Sequence, residues 1–188
     1  KVLYGAGQLA RRLKIPYRSG GGLCGSKITD AQAAYETSNS LNAGLMGGVN
    51  FMLHSCGWLE GGLVTSIEKF IMDADQLGIL DSLSKGIDVE ESDLAFEAIK
   101  DVGAGGHFLG CDHTQKNFKS AFWRSDILNY KPFETWQEEG EKDLTFEANK
   151  KAKQLLKNYE APELELSKRE ELKEYVLKKK SSMPDAFV

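Results

Sequence analysis

The sequence predicts an α/β fold, in which strands alternate with helices around a parallel sheet, followed by an α-helical extension. Three observations predict it. Apolar runs of strand length pass directly into polar, glycine-bounded loops at Ile15-Pro16-Tyr17-Arg18-Ser19-Gly20-Gly21-Gly22, over 49–62 and over 105–114, and parallel sheets carry their ligands just beyond the carboxyl ends of strands. Helical patterns lie between these runs, which is the order of βαβ units. Composition then changes near residue 130: the last 58 residues hold 25 charged side chains and only Gly140 of the 19 glycines. A boundary is therefore expected there, with 1–130 as the α/β part and 131–188 as the helical extension.

Taken in order, residues 5–14 read as a helix with Leu9, Ala10 and Leu13 as its apolar face, leading to a strand over 15–18. Gly20, Gly21 and Gly22 open a loop that ends at Thr29, where Thr29 and Gln32 have capping-box spacing. The helix that begins there runs through Tyr35, Leu41 and Leu45 to the glycines at 47 and 48. A strand follows over 49–54. Thr65 and Glu68 repeat the capping-box spacing, Ile67, Phe70, Ile71, Ala74 and Leu77 form a helical stripe, and Gly78 is placed to end it. Residues 92–102 read as another helix and 107–111 as a third strand. The tail holds two helices, one over 143–159 and one from Ser167, which forms a third capping box with Glu170. Its basic run Lys178-Lys179-Lys180 is read as a solvated helix end opposing the macrodipole.

At 188 residues with 41% hydrophobic and 28% charged content, the chain suits one substantial core or a core with an appendage. A net charge of −4 argues against an electrostatic nucleic-acid binder, because neutralising phosphates needs a basic surface. No stretch reaches the roughly 18 apolar residues of a membrane span, and the opening residues do not have the basic, apolar and small-residue pattern expected of a signal peptide. Three dispersed cysteines without a CxxC fit a reducing cytoplasm. The opening Lys1-Val2-Leu3-Tyr4 carries no methionine, and the chain is expected to be a fragment whose upstream half completes the site.

All three histidines and all three cysteines fall in the strand-end segments, which are expected to form one face. His54 with Cys56 and Cys111 with His113 are spaced i, i+2, so each pair lies on one side of its strand. On adjacent parallel strands the four can hold zinc tetrahedrally; otherwise the cysteines are small buried hydrophobes and the histidines bond to loops or substrate. Trp58 and Tyr17, beside glycines, are candidates for an aromatic cage that attracts an ammonium group, with Glu60 supplying charge. Phe51 and Phe108 read more readily as core, and Glu60 equally well as a solvated carboxylate. Gly5-Ala6-Gly7-Gln8-Leu9-Ala10 mimics a dinucleotide fingerprint. If 1–4 were a strand, Arg18 could meet a 2′-phosphate in an NAD(P)-dependent oxidoreductase. There is no GxSxG or Walker loop.

Tyr17-Arg18-Ser19-Gly20-Gly21-Gly22, Ser26-Lys27 with Asp30-Ala31-Gln32-Ala33-Ala34-Tyr35-Glu36, Gly57-Trp58-Leu59-Glu60-Gly61-Gly62-Leu63 with Glu68-Lys69-Phe70, and Gly106-His107-Phe108-Leu109-Gly110 with His113-Thr114 resemble the trimethylamine methyltransferase superfamily. Pro132-Phe133-Glu134-Thr135-Trp136 and the helical tail resemble that family's C-terminus. The resemblance implies the C-terminal part of a (β/α)8 TIM barrel with an α-helical extension. It also implies transfer of a methyl group from trimethylamine or a quaternary amine such as glycine betaine to the cobalt of a corrinoid (cobalamin) carried by a partner protein. Some archaeal members carry pyrrolysine in the barrel, and a standard residue there favours a quaternary, betaine-like substrate. On this resemblance Trp58, Tyr17, Arg18 and Phe108 would surround the amine and Glu60 would meet its charge. His54 and His113 would bond a substrate carboxylate or the corrinoid, and Gly20, Gly21, Gly22, Gly61 and Gly62 would let the corrinoid approach. A half barrel leaves two strand edges open, so a homo-oligomer, inactive by itself, is expected.

Overall fold

The computed structural model describes residues 1–87 and 89–183. Contacts divide the chain into two units, Lys1–Gln154 and Leu155–Val188. The break in contacts thus falls further along the chain than the change in composition near residue 130. In the first unit, helix α1 (Val2–Leu13) precedes strand β1 (Arg18–Gly20), helix α2 (Ala31–Met46) and strand β2 (Phe51–Leu53). The two strands pair in parallel, Arg18 opposite Phe51, Ser19 opposite Met52 and Gly20 opposite Leu53. The expected βαβ arrangement is therefore present. β1 starts later than expected because Ile15 N–H is still bonded to Ala10 O at the end of α1 and Pro16 has no N–H to give a ladder.

α1 begins at Val2, so no strand forms over 1–4. Leu3, Gly7 and Ala10 recur at helical spacing and face α2: a Cβ on Gly7 would strike the carbonyl of Gly47, and one on Gly47 would stand 2.5 Å from Leu3 Cδ2. Arg11 closes the joint by donating to Gly47 O at 2.5 Å, a cation on the C-terminal carbonyls of α2. Successive residues of a strand face opposite sides. Met52 lies against Gly44 of α2 and the Tyr17 ring lies 3.5 Å from the Cβ position of Gly7, so Tyr17, Ser19 and Met52 form the helix-covered side. Arg18, Gly20, Phe51 and Leu53 form the other side, where Phe51 is 60% exposed.

After β2 the chain makes a short antiparallel ribbon that was not expected, β3 (Trp58–Leu59) with β4 (Val64–Thr65), joined by a 3-10 turn over Glu60–Gly62. Helix α3 (Ile67–Lys85) follows. Gly78 does not end it; a Cβ there would sit 2.7 Å from Trp123, so this glycine makes room for the indole, and the helix stops at Gly86 with φ 74°. Helix α4 (Phe96–Val102) starts later than residue 92 because Ala95 is left-handed, φ 52°. No strand forms over 107–111. Gly103 and Gly105 take positive φ, Cys111 N–H turns back onto Phe108 O, and Cys111 stands at the N-terminal boundary of helix α5 (Asp112–Asn117). Helices α6 (Phe133–Glu138) and α7 (Leu144–Lys157) follow, and Asn149 of α7 donates to Glu68 of α3 at 2.6 Å.

The first two expected cap positions are each off by one residue. Asp30, not Thr29, caps α2 through Ala33 N–H, and Ser66, not Thr65, caps α3 through Lys69 N–H. In the second unit, helix α8 (Leu166–Ser182) begins one residue before Ser167 and has no side-chain cap; its last turn carries Lys179 and Lys180. Cys24, Ala33 and Leu59 form a buried apolar cluster that joins the first loop, α2 and the ribbon. Among the described residues no helix is long and apolar enough to cross a membrane.

Candidate functional site

The carboxyl ends of β1 and β2 meet backbone to backbone. Gly22 N–H donates to His54 O at 2.8 Å, and Cβ atoms on Gly21 and Gly22 would stand 2.6 Å from Ser55 Oγ and 2.5 Å from Ser55 O. Gly21 and Gly22 are buried there, so their missing side chains serve this close approach. Gly20 and Gly61 are different. Gly20 has only Leu23 at 3.9 Å from its Cβ position, and Gly61 has nothing within 4 Å. Gly62, φ 98°, packs on Leu23.

The segment 54–62 then turns repeatedly in the left-handed region, at His54 (φ 54°), Gly57 (φ 81°), Glu60 (φ 50°), Gly61 (φ 64°) and Gly62 (φ 98°). For His54 and Glu60 such backbone costs on the order of 1 kcal/mol each and persists only where the surroundings hold it. The result is a compact group. The rings of His54 and Trp58 lie 5.4 Å apart, edge to face at 83°, and Glu60 is exposed two residues beyond Trp58. The loop over 24–26 supports them from one side: Cys24 Sγ–H donates to Trp58 O (3.2 Å), Glu60 N–H to Ser26 O (2.8 Å) and Gly61 N–H to Cys24 O (2.7 Å). Glu36 accepts from Gly25 N–H and from Gln32, and these hold its carboxyl below the usual range.

From the other side comes a polar group that no sequence pattern announced. Lys69 and Asp73 of α3 are only 1% and 4% exposed and are paired at 2.5 Å. Lys69 Nζ also donates to Thr37 Oγ1 at 2.8 Å, and Thr37 in turn donates to Gly22 O at 3.1 Å. Asp73 Oδ2 accepts from Gly57 N–H at 2.9 Å. Burial pushes the Asp73 carboxyl up, while Lys69 and the Gly57 N–H pull it back. The neighbouring Cys56 thiol is pushed up to about 11, by burial first and by Asp73 second. The i, i+4 spacing of Lys69 and Asp73 is legible, but their inward orientation is not, because lysine and aspartate at that spacing usually make a solvated pair.

The remaining expected residues do not gather here. Tyr17 lies on the helix-covered side against α1, whereas Arg18 is exposed on the opposite side with Phe51. Phe51 and Phe108 are not core; Phe108 is 46% exposed in the irregular segment before α5. His113 lies in α5, where its carbonyl accepts from Asn117. Without a strand over 107–111, sheet pairing does not bring Cys111 and His113 beside His54 and Cys56, and among the described residues no three His, Cys, Asp or Glu side chains are grouped to hold a metal. The zinc reading loses its geometry. The dinucleotide reading loses its strand, since Gly5 and Gly7 lie inside α1 and Gly7 serves helix packing.

Residues 1–184 match the model of the family described as "Trimethylamine methyltransferase (MTTB)". The chain is 42% identical over 158 residues to the "Glycine betaine methyltransferase" of Desulfitobacterium hafniense (strain Y51), covering 84% of this chain and 33% of that protein. It is 31% identical over 155 residues to "Trimethylamine methyltransferase MttB" of Desulfitobacterium hafniense (strain DSM 10664 / DCB-2), covering 82% and 31%. It is 30% identical over 157 residues to "Trimethylamine methyltransferase MttB2" of Methanosarcina mazei, covering 82% and 31%. The chain thus spans about a third of the length of the curated relatives it matches.

Proposed function

The chain belongs to the trimethylamine methyltransferase family, and from that premise we propose that its protein moves a methyl group from a quaternary, betaine-like amine to the cobalt of a corrinoid carried by a partner protein. The observation that carries this reading at the site is Trp58, fixed edge to face with His54 and followed by exposed Glu60 on a loop held from both sides. An indole face attracts a methylated ammonium and a carboxylate balances its charge. The N–CH3 bond breaks with its electron pair left on nitrogen, while a new bond joins the methyl carbon to cobalt. The ammonium therefore loses its charge along the reaction, so Trp58 and Glu60 favour the bound substrate over the departing neutral amine. Their work is binding and alignment, with His54 orienting the indole.

The corrinoid supplies the reduced metal that accepts the methyl group. The loop suits so large a group, since Gly61 is exposed and no atom lies within 4 Å of its Cβ position; Gly20 and Gly61 are the glycines we assign to that approach. We further propose that β1 and β2 are neighbouring strands of a (β/α)8 barrel, whose helix-covered side carries Tyr17 and Met52 and whose other side carries Arg18 and Phe51, with 131–188 as its helical extension. The strand edges left open by a two-stranded sheet favour self-association of this chain. A reducing cytoplasm suits both the dispersed cysteines and a reduced cobalt.

The test follows the cobalt spectrum of the full-length protein with its corrinoid partner as trimethylamine, glycine betaine and related amines are added in turn. Methylation with a quaternary amine alone is expected; methylation with none of them refutes the proposed reaction. In the same assay Trp58→Leu and Glu60→Gln are expected to raise KM at least tenfold with a smaller change in kcat. A loss confined to kcat would remove Trp58 and Glu60 from binding.

A further inference from the structure

We propose that Lys69, Asp73 and Thr37 are positioning residues that set where Trp58 and Glu60 stand, acting from behind the loop without touching the substrate. The inference rests on the amine site proposed above. A buried lysine–aspartate pair is a poor means of packing a helix, because desolvating both charges offsets their attraction and apolar side chains of similar volume serve as well or better. What this trio does that apolar residues cannot do is hold backbone polar groups of two separate loops. Lys69 Nζ uses its donors on Thr37 Oγ1 at 2.8 Å and on Asp73 Oδ1 and Oδ2 at 2.7 and 2.5 Å. The Thr37 hydroxyl donates in turn to Gly22 O, and Asp73 accepts from Gly57 N–H.

Gly22 and Gly57 are the places where the two site loops need holding. Gly22 is tied to His54 O, and Gly57 stands immediately before Trp58 with φ 81° and Phe70 Cβ 3.1 Å from its Cβ position. Trp58 is therefore fixed from α3 on its N-terminal side, and on its C-terminal side Cys24 and Ser26 hold Trp58 O and the N–H groups of Glu60 and Gly61. The left-handed backbone at His54 and Glu60 needs support of this kind to persist.

The experiment uses the full-length protein and the double variant Lys69→Met with Asp73→Leu, which removes both charges together and leaves neither buried alone. Melting temperature, amide hydrogen exchange at Glu60 and Gly61, and turnover with glycine betaine and with trimethylamine are compared. The expected result is a melting temperature within a few degrees of the parent and exchange at least tenfold faster at Glu60 and Gly61, whose own acceptors on Ser26 and Cys24 are untouched. KM for the amine should rise about tenfold with kcat within about twofold. Parental exchange and parental KM in the folded double variant overturn the proposal. If the double variant does not fold, Thr37→Val decides: it cuts only the links to Gly22 and Lys69, and exchange at Glu60 and Gly61 must rise about threefold or the proposal fails. If the parent turns over neither amine, the proposed reaction fails while exchange alone decides the positioning.

Discussion

Gly5 and Gly7 lie two residues apart in one helix, and alanine at each should change stability in opposite directions. Gly5 is exposed, with nothing within 4 Å of its Cβ position, so Gly5→Ala gains the ordinary helix preference of alanine, about 1 kcal/mol. Gly7→Ala gains the same term but drives its methyl into the carbonyl of Gly47, which is backbone and has no rotamer to yield. Separating α1 from α2 costs about 1–3 kcal/mol as overpacking. The same carbonyl accepts from Arg11 at 2.5 Å, and losing that charged hydrogen bond costs a further 1.5–3 kcal/mol or so. The net expectation is a loss of about 1.5–5 kcal/mol for Gly7→Ala. Equilibrium urea denaturation of the two variants and the parent measures both values. A stabilising Gly7→Ala would refute the helix-packing account of this glycine, and a destabilising Gly5→Ala would refute the assignment of α1 as a helix from Val2.

Ser66→Ala should cost about 1 kcal/mol by uncapping α3 at Lys69 N–H, whereas Thr65→Ala should stay within about 0.5 kcal/mol; denaturation of both checks which residue is the cap. Alkylation at pH 7.5 should modify Cys111 before Cys56, by at least about tenfold once the greater nucleophilicity of a more basic thiolate is allowed for. Hydrogen bonds from Thr114 hold Cys111 below 9.0, while Cys56 is pushed up to about 11; peptide mapping reads the order. Acid should destabilise the chain through Asp30, Glu36 and Glu68, held below their ordinary values by Ala33 N–H, Gln32 and Asn149 respectively. Because folding lowers these values, their stabilisation is complete above about pH 4.5 and is lost as pH falls through the folded values. Asp73 has the opposite sign, its raised value favouring the folded state at low pH and fading as pH rises. Glu36→Gln should flatten the acid limb of stability against pH, and an unchanged limb would count against its role.

The sequence by itself determined the elements that depend on neighbours along the chain. Apolar periodicity places α1, α2 and α7 and the start of α3 within a few residues, and the glycine-bounded strand ends at 18–20 and 51–53 lead to Trp58 and Glu60. The order of strand, helix and strand points to a parallel pair, as observed. Tertiary structure decided what depends on partners far away in the chain. The run Phe108-Leu109 has strand composition, but four nearby glycines at 103, 105, 106 and 110 and the turn onto Phe108 leave it irregular. Gly78 is as good a terminator as Gly86 by composition, and only Trp123, 45 positions on, makes it a packing residue. The side of the sheet that each aromatic occupies was equally invisible, because a one-residue slip of strand register exchanges the two sides. Lys69, Asp73 and Thr37 are the sharpest case. A charged pair four residues apart on a helix has the same local pattern whether it faces water or the interior. What turns it inward is a set of backbone groups, Gly22 O and Gly57 N–H, that come together only when two loops distant in sequence fold against one another.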